Sequence, residues 1–323
     1  MIESCRNENS KSDGLQWSKM GIFPKLRPSR PADWGVEVTV CIAAMADYGT
    51  SIVIATDQMI TTEITTADAV ALKILGVHPN WAVMYAGSLD HVTPILTKVR
   101  TQLFDKDVTY DDIETALTKA YHERLRIEET NVVLGRFGLT IDEFLATGLN
   151  TFGEANFAHL LAEIGQISLG PEALYFLVAG YDTRGVPHIF SVSPPGRVEN
   201  HDVLGFWAIG TGQYSALGSL FFHSYNKNFL PAVALYHVCE AKFMAEKAAG
   251  VGQTTSVLLL EPEGRAEELL KLKEIRDVWE LEGKPRIPLS LNERMMALLK
   301  SERATRRTFL GFSSKQIEGE KAE

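Results

Sequence analysis

Val38-Thr-Val-Cys-Ile-Ala-Ala-Met45 and Ser51-Ile-Val-Ile-Ala-Thr-Asp57, with the turn signal Asp47-Tyr-Gly-Thr50 between them, decide how this chain folds. Both runs are rich in β-branched and small apolar residues, and a short turn joins them, so they read as the two strands of a hairpin. A third run, Ala69-Val-Ala-Leu-Lys-Ile-Leu75, ends near the turn His78-Pro-Asn80, and a fourth, Trp81-Ala-Val-Met-Tyr-Ala86, ends at Gly87-Ser88. The texture then changes. Val92, Ile95, Leu96, Val99 and Leu103 fall on one face of a helix, and Asp111-Asp112 places acid at the start of a second helical stretch that runs to about Glu129.

Residues 130–170 are mixed, with helices expected around Ile141–Thr147 and Ala155–Ile164. Strands return at Leu174–Ala179, Pro187–Val192 and Phe206–Ile209, the last followed by Gly210-Thr-Gly212. Pro231 opens a helix expected to reach about Ala248, and Thr254–Leu260 is a final strand. The order is strands, helices, strands, helix, strand. It predicts two sheets with helices packed outside them, in contrast to the alternation of a βαβ crossover fold.

Composition bounds the rest. The 323 residues are 45% apolar and 23% charged, which fits a globular core of ordinary size with appendages. No run of 18 apolar residues occurs, and Met1–Gly14 has no apolar stretch of the kind a secretory signal carries. Cys5, Cys41 and Cys239 are far apart and form neither a disulfide framework nor a CxxC knuckle, so a reducing cytoplasm is the expected setting. The net charge of −9 is uneven: residues 1–38 carry +1, residues 39–261 carry −11 and residues 262–323 carry +1. An acidic middle argues against nucleic acid as a partner. Residues 1–38, with Pro24, Pro28 and Pro31, read as an unstructured extension, and residues 262–323 as a charged, helical one, with helices around Leu269–Leu281 and Arg294–Arg307.

The common metal, phosphate and serine-hydrolase signatures are absent: there is no HExxH, Walker loop, GxGxxG or GxSxG, and the eight histidines are scattered, none of them paired at metal-ligand spacing. What stands out is a polar set at the edges of apolar strands. Thr39 opens the first strand, Asp57 closes the second, Lys73 lies inside the third run and Gly87 follows the fourth. A lysine between Leu72 and Ile74 is partly buried and needs a counter-charge, for which Asp57 is the nearby candidate.

These pieces, taken in order, resemble the proteasome-type N-terminal-nucleophile hydrolases, a family that includes proteasome β subunits and HslV-like peptidases. The likeness rests on Thr39-Val-Cys-Ile-Ala, Val53-Ile-Ala-Thr-Asp57, Lys73 and Tyr85-Ala-Gly87-Ser88, then on Leu177-Val-Ala-Gly-Tyr-Asp182 and Ile209-Gly-Thr-Gly-Gln-Tyr-Ser-Ala-Leu-Gly218. The resemblance spans residues 39–261, with 128–170 and 262–323 lacking a clear counterpart, and it implies an α+β fold: a four-layer αββα sandwich of two antiparallel sheets. It implies Thr39 as nucleophile, Lys73 as the neighbouring ammonium, Asp57 as the acid that holds Lys73, the Gly87 N–H as oxyanion donor and Thr211 as a supporting hydroxyl, with no metal or organic cofactor. The interval from Thr39 to Asp57 is two residues longer than the family's usual spacing, a change that keeps the alternation of strand faces. Glu246 is the one candidate for the family's late supporting acid. Cys41, two residues after Thr39, reads as a small core residue rather than a rival nucleophile.

The mechanism implied needs a free amine on Thr39, because an acylated nitrogen is no base. Two routes provide it: removal of residues 1–38 by self-cleavage, or translation from Val38 as a GTG start followed by trimming of the initiator methionine. The resemblance further implies a threonine-type peptidase acting on unfolded polypeptides inside a homo-oligomeric ring, with an ATPase unfoldase as partner and neither nucleic acid nor membrane involved. Two other functions fit the same scaffold: a non-catalytic assembly subunit that retains residues 1–38, and a small-amide hydrolase.

Overall fold

The computed structural model of the chain describes residues 39–61, 66–69, 72–170, 173–268 and 272–284. β1 (Cys41–Ala46) and β2 (Ser51–Asp57) form the expected hairpin, pairing Cys41 with Thr56 and Ala46 with Ser51. A short ribbon of β3 (Ile60–Thr61) and β4 (Thr66–Ala67) leads to β5 (Ile74–His78) and β6 (Trp81–Ala86). Three helices follow, α1 (Leu89–Leu103), α2 (Tyr110–Glu129) and α3 (Ile141–Ile164). The chain then makes β7 (Tyr175–Tyr181), β8 (Pro187–Ser193), β9 (Arg197–Asn200) and β10 (Phe206–Ile209). Last come α4 (Gln213–Phe222), α5 (Pro231–Ala245), β11 (Thr255–Glu261), β12 (Arg265–Glu268) and α6 (Leu272–Val278).

The strands make two antiparallel five-stranded sheets, ordered β10-β1-β2-β11-β12 and β5-β6-β7-β8-β9. Alternate residues of each central strand enter different cores. Cys41, Ala43 and Met45 of β1, Ile52 and Ile54 of β2, Ala82 and Met84 of β6, and Leu177 and Ala179 of β7 meet between the sheets. Ile42 and Ala44 of β1 and Val53 and Ala55 of β2 face outward onto Ala216 and Leu220 of α4 and Val238 and Ala241 of α5. Val83 of β6 and Phe176 and Val178 of β7 face the other way, onto Val92 and Leu96 of α1 and Leu117 and Tyr121 of α2. The result is an α+β fold in four layers, αββα, as expected. The central strands of both sheets are covered on both faces, which is why those strands are unbroken apolar runs.

Several expectations are corrected in detail. The third apolar run does not become one strand: regular pairing starts at Ile74, after Lys73. The two helices expected between 141 and 164 are present: the backbone of α3 leaves helical geometry at Gly153 (φ 74°, ψ 163°), and the two segments on either side pack a small core of their own around Leu134, Phe144 and Leu160. The glycine turn Gly210–Gly212 follows β10 as expected, but the helix directly behind it, α4 at Gln213–Phe222, was not anticipated. The packed body also runs past residue 261, where an extension was expected to begin. β12 pairs with β11, and Trp279, 2% exposed, sits in the core under α5. Residues 1–38 and the helix expected at Arg294–Arg307 lie outside the described residues.

Candidate active site

Asp57 ends β2 with no solvent exposure, and a carboxylate so placed requires donors on both oxygens. It has them. Oδ1 accepts from the Thr39 hydroxyl at 2.5 Å, the Val40 N–H at 3.0 Å and the Lys73 ammonium at 3.1 Å. Oδ2 accepts from the Met59 N–H at 3.0 Å, from Lys73 at 3.1 Å and from the Gly252 N–H at 3.4 Å. Lys73 also donates to the Thr39 hydroxyl oxygen. Thr39, Asp57 and Lys73 are therefore one buried cluster, with Thr39 3% and Lys73 5% exposed. The two sheets share the construction: Thr39 and Asp57 flank β1 and end β2 of the first, whereas Lys73 immediately precedes β5 of the second.

The turn after β10 holds the Thr39 backbone. The Thr39 N–H donates to the Thr211 hydroxyl at 3.2 Å, and the Gly212 N–H donates to the Thr39 carbonyl at 3.1 Å. Gly210, at φ +92°, brings the backbone so close that a Cβ there would collide with that same carbonyl. The expected supporting residue Thr211 thus reaches Thr39 directly. Cys41 donates through sulfur to the Tyr85 carbonyl at 3.3 Å, tying β1 to the end of β6. Burial pushes its thiol up to about 12, opposed by the Lys73 charge, so Cys41 is an inert core residue as expected.

Gly87 follows β6 at φ +116°, a region that favours glycine. A Cβ there would lie 2.5 Å from the Ala173 carbonyl oxygen and 3.0 Å from Leu174 Cα, both backbone atoms that cannot swing aside. Gly87→Ala is therefore expected to destabilise the fold by at least about 2 kcal/mol, read as a lower urea midpoint. An unchanged midpoint would mean that the β6–α1 turn is free to re-form.

Glu246 does not serve as the late acid: it makes no contact with Thr39. Its carboxylate takes Lys242 at 2.5 Å and both Arg276 nitrogens at 2.8 and 2.5 Å. Lys242 of α5 is fully buried and donates onward to the carbonyls of Gly252 at 2.7 Å and Gln253 at 3.1 Å. Burial pulls the Lys242 ammonium below the ordinary lysine range, and Glu246 opposes that pull. From the other side Asp68 accepts the N–H groups of Gln253 at 2.8 Å and Thr254 at 2.9 Å. Burial alone would raise the Asp68 carboxyl, but the backbone donors of Thr254, Ala69 and Gln253 outweigh it and hold the group below the usual carboxylate range. Lys242 and Asp68 thus fix the 252–254 loop, whose first N–H donates to Asp57. The sequence held a signal for Lys242: a lysine amid the apolar helix run Val238–Ala245, four residues before a glutamate.

Residues 154–241 match the family model described as Proteasome subunit. That stretch is a little over a quarter of the chain and covers β7 to β10, α4 and most of α5. It contains Thr211 but not Thr39, Asp57, Lys73 or Gly87, so the match and the site fall largely in different parts of the sequence. No curated protein matches the chain.

Proposed function

We infer that this chain is a proteasome-type amide hydrolase in which Thr39 is the nucleophile. The observation that carries the reading is the Thr39 hydroxyl, held between the Asp57 carboxylate and the Lys73 ammonium where strands of the two sheets meet. The proteasome-subunit match in the second half of the chain supports it independently.

The chemistry requires release of the Thr39 amine. An α-amine has an unperturbed pKa of about 7.7–8.0, so it is a base near neutral pH, and the adjacent Lys73 charge disfavours its protonation. The amine takes the hydroxyl proton, directly or through water, while Oγ1 adds to an amide carbonyl carbon. The C–N bond then breaks, the departing amine receives that proton, and water hydrolyses the Thr39 ester. The Gly87 N–H is the proposed donor to the developing oxyanion, and Thr211 steadies the Thr39 nitrogen. The substrate class proposed is unfolded polypeptide, cleaved within a ring of identical chains fed by an ATPase unfoldase in the cytoplasm.

The test is the intact mass of protein made from its native gene with its own upstream region, followed by assays on unfolded casein and on small amides. A chain starting at Thr39 that degrades casein is the expected result. A chain that keeps residues before Thr39 and hydrolyses neither substrate would establish the assembly-subunit reading instead. Cleavage of small amides alone would replace the polypeptide substrate.

A further inference from the structure

α4 and α5 carry a cluster that lies outside the candidate active site. His223 caps the C-terminus of α4, and His237 and Glu240 lie one turn apart on the same face of α5. Sequence spacing alone did not pair any histidines; the return of the chain between the two helices brings these residues together. His223 Nε2 is 2.9 Å and His237 Nδ1 3.4 Å from the same Glu240 oxygen, Oε2. All three donor atoms lie within 4.8 Å of one another, and no other such group of His, Cys, Asp and Glu occurs among the described residues.

Three features separate this arrangement from an ordinary hydrogen-bonded glutamate. First, Glu240 is 4% exposed, and among the described residues its carboxylate pairs with no lysine or arginine. A buried carboxylate needs positive charge nearby, and a metal ion shared with the two imidazoles would supply it. Second, the two separations from Glu240 Oε2, 2.9 and 3.4 Å, are close to the spacing of a tetrahedral ion, whose ligand atoms at about 2.0–2.1 Å from the metal stand about 3.3 Å apart. Third, the rings are held in place. His237 packs against Tyr225, Phe229 and Tyr236 at centroid distances of 6.5, 5.6 and 5.7 Å, and the His223 ring lies 4.7 Å from that of His237. His223 keeps a side-chain exposure of 30%, which leaves a side open for a solvent ligand.

We propose that His223, His237 and Glu240 bind a divalent transition-metal ion, with Zn2+ the best fit to two imidazoles and one carboxylate. The ion neutralises Glu240 and pins the end of α4 to α5, the helix whose Lys242 grips the loop behind Asp57. The proposal is independent of the Thr39 reading and stands if that reading fails.

The test uses the full chain, stripped of metal by a chelator and titrated with Co2+ and then Zn2+. Visible bands of four-coordinate Co2+, saturating at one equivalent per chain and bleached by one equivalent of Zn2+, are expected, together with a higher thermal midpoint in Zn2+. His223→Ala, His237→Ala and the near-isosteric Glu240→Gln should each weaken Zn2+ binding by more than about 100-fold. His159→Ala, at an exposed histidine on α3, should leave it unchanged. His223 is partly exposed, so its variant keeps the test valid if a more buried one fails to fold. Absence of stoichiometric binding, or binding that survives His223→Ala, overturns the proposal. So does stabilisation on acidification alone with no response to Zn2+, which would mean that histidine protonation neutralises Glu240.

Discussion

Thr39→Ala is expected to abolish amide hydrolysis while the chain stays folded. The hydroxyl it removes is one of five groups that donate to Asp57; Lys73 and the N–H groups of Val40, Met59 and Gly252 remain. The buried carboxylate therefore keeps a partner on each oxygen, and the structural loss is the two hydrogen bonds of the hydroxyl, one donated to Asp57 and one accepted from Lys73, about 2–3 kcal/mol in all. The chemical loss is of another order. Removing a nucleophile leaves only binding and oxyanion stabilisation, so turnover of casein by the Thr39-start chain should fall by at least about 10⁴-fold. Thr39→Ser keeps the oxygen and should retain measurable turnover. Full activity in Thr39→Ala would discard Thr39 as nucleophile. Unfolding of that variant would assign the hydroxyl to the scaffold.

Lys73→Met is expected to be the most destabilising exchange in the cluster. Lys73 contacts both Asp57 oxygens at 3.1 Å, and Asp57 has no solvent exposure. Removing one member of a buried ion pair leaves the other charge in a poorly solvated site, at a cost of about 3–5 kcal/mol. The remaining donors are neutral backbone N–H groups and one hydroxyl, which hydrogen-bond the carboxylate but do not cancel its charge. Adding Asp57→Asn to Lys73→Met should restore part of the loss, because the amide needs no counter-charge, although its NH2 then meets a backbone N–H that an oxygen of Asp57 accepted. Urea denaturation of the two single variants and the double variant measures the coupling. Additive losses would mean that Lys73 stabilises through its alkyl stem packing and not through its charge.

How much of this was legible in the sequence depended on where each residue packs. β1, β2, β6, β7 and β8 could be read directly because both of their faces are covered, which demands unbroken apolar runs. β9 and β12 were missed because they are sheet edges, where charged residues such as Arg197 and Glu199 of β9 are as welcome as valine. The Gly210–Gly212 turn disguised α4, whose helix begins directly behind it. Thr39, Asp57 and Lys73 stood out as polar residues next to apolar strands, a placement that burial must justify. Asp68 and Arg276 carried no such mark: one sits beyond a two-residue strand, the other on a charged helix, and each acts on a loop far away in the chain.

The Thr39 nitrogen bonds to Thr211, 172 residues onward, and Asp57 draws on Gly252, 195 residues onward. During synthesis the first strand leaves the ribosome long before either partner has been made. A nascent chain therefore carries Thr39 without its clamp, and the cluster closes only once the strands beyond Gly252 can dock. Whatever chemistry Thr39 performs therefore waits until the segment through Gly252 has been made and docked.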